Sequence, residues 1–182
     1  MTHTHEVWVV GATGLVGRET VATLLETPTI TRVVAVVRRP LGLGHTKLEE
    51  RVVDFDALET ALTGGSADTA VCCLGTTIKQ AGSRAQFRKV DHDYVLAFAR
   101  AAKAAGAKHF VVVTALGANA SSFTFYNRVK GDVESALAAL GFASLTIARP
   151  SLLIGDRAEA RLGERLAAPL SRLLPASVRG IE

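Results

Sequence analysis

Val7-Trp8-Val9-Val10-Gly11-Ala12-Thr13-Gly14-Leu15-Val16-Gly17 is the stretch that decides the fold. Four residues of strand character, Val7 to Val10, stop at Gly11. Glycines recur at three-residue spacing, at 11, 14 and 17, and Leu15, Val16, Val21, Leu24 and Leu25 then follow a helical period. Strand, glycine turn, helix is the setting that a dinucleotide-binding fingerprint requires. Gly11 allows the tight turn off the strand. Gly14 lets backbone come close to a pyrophosphate, and Gly17 lets the helix pack on the strand. The helix N-terminus supplies free N–H groups and partial positive charge to phosphates. The spacing differs from Gly-x-Gly-x-x-Gly, so the middle role moves by one residue. A glycine-rich turn that binds nothing is the weaker alternative, because the motif opens the first strand of an α/β pattern.

Outward from that stretch, strand and helix signals alternate, which predicts an α/β class with a mostly parallel sheet. Strands are expected at Thr31 to Val37, at Val52-Val53, at Thr69 to Leu74, at Phe110 to Thr114 and at Leu145 to Ala148. Helices are expected at about Asp56 to Leu62, Phe87 to Ala105 and Phe123 to Leu140, with Gly64-Gly65, Gly106 and Gly141 as their stops. A loop runs from Ala115 to Ser122, and Arg149-Pro150 ends the last strand. The tail, Ser151 to Glu182, reads as a short helical extension, with segments near Arg157 to Ala168 and Pro169 to Leu174. The expected architecture is a Rossmann-type, doubly wound, three-layer domain over 1–182, with 151–182 as its substrate-side extension.

The chain has 182 residues, enough for one domain with a sizeable core. Its apolar content of 48% includes no run long enough to span a bilayer, so no membrane partner is expected. Met1 to Glu6 is polar and lacks an apolar signal region. The two cysteines, Cys72 and Cys73, are neighbours in a strand and point to opposite faces. They form neither an ordinary disulfide nor a metal pair, and no metal site is expected. A reducing, cytoplasmic setting is the default that follows. The formal charge of +4 is spread among acidic residues, with no basic helix, stacking platform or zinc pattern, so nucleic acid is not the expected partner.

The end of the second strand selects between nicotinamide cofactors. An acid there bonds a ribose 2′-hydroxyl, whereas arginine accommodates a 2′-phosphate. This strand ends Val37-Arg38-Arg39, which favours NADP(H) with NAD(H) admissible; two solvated surface arginines are the alternative. After the third strand come Asp54 and Phe55. They suit an adenine amino group and ring, or else Asp54 caps the next helix. The fourth strand ends Cys72-Cys73-Leu74-Gly75-Thr76-Thr77, with small residues that let a cofactor pass over the backbone. Tyr126 and Lys130 stand four apart, on one face of a helix. A lysine ammonium beside a phenol favours the phenolate and yields a general acid/base. The same lysine can hold ribose hydroxyls, and Thr114, ending the preceding strand, can orient a substrate oxygen. A lone Tyr/Lys pair is usually a surface coincidence; after the fifth strand of a glycine-fingerprint domain it is far more specific.

Together these parts resemble the short-chain dehydrogenase/reductase superfamily in its atypical or extended form, and within it the Tat-interacting-protein-like oxidoreductases and their bacterial relatives. The residues that carry the resemblance are 11–17, Val71 to Thr77, Val90 to Leu96, Lys108 to Phe110, Tyr126 to Gly131 and Ala148 to Arg157, in the family's order and over nearly the whole chain. The resemblance implies Gly11, Thr13, Gly14, Leu15 and Val16 around a pyrophosphate, and Arg38 and Arg39 at a 2′-phosphate. It also implies Asp54 and Phe55 at the adenine, Leu74, Gly75 and Thr76 along the middle, Tyr126 and Lys130 as the catalytic pair, and Pro150 beside the nicotinamide. Two departures stand out. Human-type members read Ser-Ser-Lys-Gly-Ala where this chain has Thr114-Ala115-Leu116-Gly117-Ala118, so the serine becomes Thr114 or is lost at Ala115. Family chains also continue for some tens of residues beyond a position like Glu182, so a truncated chain is an expectation.

The activity this implies is hydride transfer to or from a small carbonyl or alcohol substrate. Two other readings stand beside it. One is an NADPH-binding, redox-sensing regulator with a protein partner and little catalysis. The other is a nucleotide-sugar epimerase-like enzyme, for which the portion after Pro150 is short. Homodimers through the long helices are common in the superfamily.

Overall fold

The computed structural model describes residues 5–151. Six strands form one all-parallel sheet in the order β3-β2-β1-β4-β5-β6. They are β1 (Glu6–Val10), β2 (Arg32–Val37), β3 (Leu48–Val52), β4 (Thr69–Cys72), β5 (His109–Val113) and β6 (Ser144–Ala148). The main helices are α1 (Leu15–Glu26), α2 (Leu58–Ala61), α3 (Ile78–Ala81), α4 (Arg84–Arg88), α5 (Tyr94–Ala104) and α6 (Phe125–Ala139). The central strands are apolar runs because both of their faces are covered, as parallel sheets demand. β1 sits in the middle, with Val10 in register with Val36 on one side and Cys72 on the other.

Right-handed crossovers assign the helices to faces. β1 to β2 runs one way along the sheet and places α1 on one side, where Val21 packs with Val7, Val9, Val33 and Ala35. β3 to β4, β4 to β5 and β5 to β6 run the other way. Leu58, Val95, Phe98, Val133 and Leu137 from α2, α5 and α6 therefore share the second core with Trp8, Val10, Val34 and Val36. The three-layer, doubly wound sheet is thus the Rossmann-type fold. The chain order reverses between β1 and β4, and the crevice at their C-terminal ends is where such sheets bind ligands.

Three elements differ from the sequence expectation. The third strand is Leu48–Val52 rather than the pair Val52-Val53. Glu49, Glu50 and Arg51 hide it because β3 is an edge strand. There Glu49 pairs with Arg32 across the sheet and with Arg51 at 2.7 Å, and the Glu50 carboxylate accepts the Leu41 and Leu43 N–H groups at 2.7 and 3.2 Å. The expected helix from Phe87 begins earlier, at Arg84, because the Ser83 hydroxyl caps it by accepting the Gln86 N–H. That helix is also broken by a five-residue π-turn, Lys89–Asp93, before α5. The expected helix from Asp56 opens as a 3₁₀ turn, Phe55–Ala57, before α2. The helical segments expected near 157–168 and 169–174 lie outside the described residues. Among the described residues no helix is long and apolar enough to cross a membrane.

Candidate functional site

The three glycines have separable roles. Gly11 has φ +82°, and a Cβ there would stand 2.5 Å from the Cys73 carbonyl carbon. Gly17 is pressed against the turn, since a Cβ would lie 2.1 Å from the Gly11 carbonyl oxygen. These two glycines let β1, β4 and α1 meet. Gly14 is different. Its backbone is extended, and an added Cβ meets only the Gly11 oxygen, at 3.4 Å. It is the N-cap of α1 and carries no side chain to satisfy the N–H groups of the first turn. Thr13 and Gly14 are exposed, Leu15 and Val16 half-buried and Gly17 buried. The leading N–H groups of a helix have no partner within it and suit an anion.

The Cys73 N–H donates to the Val10 oxygen at 2.9 Å, which brings Cys73 and Leu74 against Gly11, with Gly75 and Thr76 following. Arg38 and Arg39 are exposed at the C-terminal end of β2. Arg38 lies over the Phe55 ring at 5.6 Å. Of the two roles open to Asp54, the structure supplies the cap: its carboxylate accepts the Asp56 N–H at 3.0 Å. Phe55 is only 6% exposed and meets Tyr94 edge-on at 5.6 Å. Its ring packs with the core formed by Trp8, Leu58 and Val95. Burial pushes the Cys72 thiol up to about 12 and raises that of Cys73, whose Sγ lies 3.7 Å from the Thr20 hydroxyl.

α6 carries the reactive candidates. Tyr126, Lys130 and Glu134 recur every four residues and form one stripe along it. The Tyr126 ring packs on buried Phe87, with centroids 5.5 Å apart. The Lys130 ammonium meets the Asp91 carboxylate at 2.8 Å, and both side chains are buried. The other Asp91 oxygen accepts the Thr76 N–H at 2.9 Å. The loop from β5 is pressed onto the same helix at Gly131, where a Cβ would stand 2.1 Å from the Ala120 nitrogen. The Leu116 N–H donates to the Pro150 oxygen at 3.1 Å, so Pro150 is tied to the loop after β5.

Thr114 meets a geometry other than the one expected of a substrate-orienting hydroxyl. Its Oγ1 donates to Glu134 Oε1 at 2.6 Å, inside the fold. Glu134 is buried as well, and it also accepts both Nε and Nη2 of Arg149, at 3.0 and 2.5 Å. One carboxylate thus joins the end of β5, the middle of α6 and the residue before Pro150. Thr114→Val keeps the volume and removes the donated proton. It is expected to cost about 1–2 kcal/mol in urea unfolding. An unchanged midpoint would remove this bond from the account of stability.

Asp91 and Glu134 were missed in the sequence. A signal for Asp91 existed: it precedes Val95, Phe98, Ala99 and Ala102 at helical spacing, so a carboxylate occupies the buried stripe. Glu134 lies four residues beyond Lys130, on the stripe already singled out.

These features define a nicotinamide-dinucleotide-binding Rossmann domain, and comparison with known proteins agrees. Residues 11–162 match the NAD(P)H-binding family, and the chain belongs to it. It is 39% identical to Protein HTATIP2 of Rattus norvegicus over 175 residues, covering 94% of this chain and 72% of that protein. It is 37% identical to Protein fmp52, mitochondrial, of Aspergillus fumigatus, covering 87% of this chain and 70% of that one. The Bordetella bronchiseptica enzyme WbmH, solved in complex with NAD+, superposes with a TM-score of 0.73 at 17% identity. That match covers 93% of this chain and 63% of WbmH, and it is a likeness of fold.

Proposed function

We propose that this protein is an NADP(H)-dependent oxidoreductase acting on a small carbonyl or alcohol. The observation that carries this reading is the placement of Tyr126 and Lys130. They stand one turn apart on α6, and Asp91 ties Lys130 to the Thr76 N–H of the loop beside the glycine turn. Gly14, with Thr13, Leu15, Val16 and Gly17, would hold the pyrophosphate. Leu74, Gly75 and Thr76 would run along the middle of the cofactor, and Pro150 would border the nicotinamide. When bound, the reduced nicotinamide supplies a hydride equivalent to a carbonyl carbon. Tyr126 gives the proton to the carbonyl oxygen and takes it back in the reverse direction. The Lys130 charge supports the negative charge left on the phenol oxygen, and its N–H donors serve the adjacent ribose. Thr114 acts on this site through Glu134 and Arg149, as a positioning residue. Consumption of NADPH with a panel of aldehydes and ketones tests the reading. Absence of turnover across the panel, with NADPH still bound, counts against it.

Arg38 and Arg39 support the choice of NADP(H), since both are exposed where a 2′-phosphate would lie. Arg38→Ala is expected to weaken NADPH about 10- to 100-fold and to leave NADH almost unchanged. Calorimetric titration of both cofactors measures this. A wild type that prefers NADH, or a ratio that neither Arg38→Ala nor Arg39→Ala moves, rejects the assignment.

One observation favours the regulator as a second reading. The Thr114 hydroxyl is donated to Glu134, and Ala115 has none, so the position of the related enzymes' serine offers no free hydroxyl to a substrate. On this reading NADPH binds, turnover is negligible, and the cofactor-bound state is what a protein partner recognises.

A further inference from the structure

Where α4 meets the first turns of α6, the surface carries positive charge that the fold does not neutralise. The acids on and around these helices are already paired: Asp56 with Lys89, Asp91 with Lys130, Asp93 with His92, Asp132 with Arg88 and Glu134 with Arg149. Among the described residues no carboxylate pairs with Arg84 or Arg128. Both guanidiniums converge instead on one ring. The Arg84 Cζ stands 5.3 Å from the Phe125 centroid, and the Arg128 Cζ stands 5.9 Å from it. The ring attracts each cation only weakly at an exposed site, and like charges gathered at one ring repel each other. Stacking uses the flat face of a guanidinium and leaves its in-plane N–H donors for other partners. Arg128 is half-buried and anchored, since its Nη1 donates to the Ser122 and Phe123 carbonyls at 2.7 and 3.4 Å. Arg84 is exposed, and no group among the described residues takes up its donors. The place matters as much as the charge. Phe125 immediately precedes Tyr126, and both rings pack on Phe87, at 5.9 and 5.5 Å.

We infer that Arg84 and Arg128 form an anion subsite, and that the substrate is a carbonyl compound bearing a carboxylate or phosphate group, which these guanidiniums hold while its carbonyl meets Tyr126. This deepens the oxidoreductase reading and rests on it. Charge-assisted, two-pronged hydrogen bonds are what a guanidinium offers to either anion, and an anion here turns the repulsion between the two cations into attraction to a shared partner. Arg84 is the specificity-determining residue, because its donors have no other work. Arg128 also secures the turn that leads into α6.

The experiment measures NADPH oxidation by the full chain with matched carbonyl pairs: benzaldehyde and para-carboxybenzaldehyde for a carboxylate, glyceraldehyde and its 3-phosphate for a phosphate. The quantity read is the ratio of kcat/KM, charged to neutral, within each pair. The wild type is expected to favour the anionic member about tenfold or more in one pair, which identifies the group. Arg84→Ala is expected to lower that ratio about 10- to 100-fold through KM rather than kcat, and Arg84→Lys to restore part of it. Arg100→Ala removes the same charge from α5, where Arg100 meets Glu59, and is expected to leave the ratio within about twofold. That control separates a local contact from the general pull of a chain with formal charge +4. A wild-type ratio near one in both pairs, or a ratio that Arg84→Ala does not move, overturns the inference and leaves the oxidoreductase reading standing. Absence of turnover in both pairs counts against that reading instead. The subsite is then read by ligand-detected NMR of the NADPH complex with benzoate and with benzyl alcohol. Benzoate binding that Arg84→Ala abolishes upholds the subsite, and equal binding of the two probes overturns it.

Discussion

Tyr126→Phe is expected to lower turnover about 10²- to 10⁴-fold while NADPH affinity and the thermal midpoint stay at wild-type values. The size follows from what the phenol is asked to do. A positioned acid/base exchanges a proton with the substrate oxygen as charge develops there, and phenylalanine has no proton to offer. The selectivity follows from the packing. The Tyr126 ring rests against Phe87, a fully buried member of the core, with centroids 5.5 Å apart. Phenylalanine retains that contact and loses only the hydroxyl. Lys130→Met would not be so clean, because it strands the buried Asp91 carboxylate and disturbs binding and stability together. The measurement is steady-state oxidation of NADPH on a substrate found in the carbonyl panel, beside calorimetric affinity for the cofactor. Full turnover by Tyr126→Phe would remove the phenol from the mechanism and leave membership of the NAD(P)H-binding family untouched.

What the sequence discloses about this site divides along a physical line. Gly11 and Gly17 were legible because the close approach of backbone there leaves no room for a side chain. The Tyr126–Lys130 pair was legible because a helix brings residues four apart onto one face. β2 was legible because a strand buried on both sides must be apolar along its length. The failures all concern partners distant in the chain. Glu49, Glu50 and Arg51 look unlike a strand until Arg32 and the Leu41 and Leu43 amides stand opposite them. Asp91 carries no mark of its burial until the π-turn Lys89–Asp93 sets it against Lys130, which is remote in sequence. Thr114 stands at the end of β5 as expected, and only the fold shows that its hydroxyl donates a hydrogen bond to Glu134. Periodicity states which face a residue occupies; it does not state which group waits there.

Gly14→Val is expected to abolish useful dinucleotide binding, by about 100-fold or more, in a protein that still folds. The backbone at Gly14 has φ −76° and ψ 169°, a conformation valine adopts without strain. A new Cβ finds only the Gly11 oxygen, at ordinary contact distance. The added side chain therefore costs the free protein little. On the proposed cofactor pose it would stand at the N-terminus of α1, whose leading N–H groups have no partner within the helix. A pyrophosphate held there must either withdraw from those donors or force the methyl groups aside. Overpacking of this kind costs about 1–3 kcal/mol, and each lost charge-assisted hydrogen bond adds a comparable amount. Together these reach the 100-fold loss. Gly17→Ala is the control that separates binding from folding. A Cβ there lies 2.1 Å from the Gly11 oxygen and 2.9 Å from the Ala12 Cα, so α1 must move off β1. It is expected to lower the thermal midpoint, whereas Gly14→Val is not. Calorimetry with NADPH and thermal unfolding of both variants measure the contrast. A folded Gly14→Val that binds NADPH as the wild type does would place the pyrophosphate elsewhere and withdraw the glycine turn from the site.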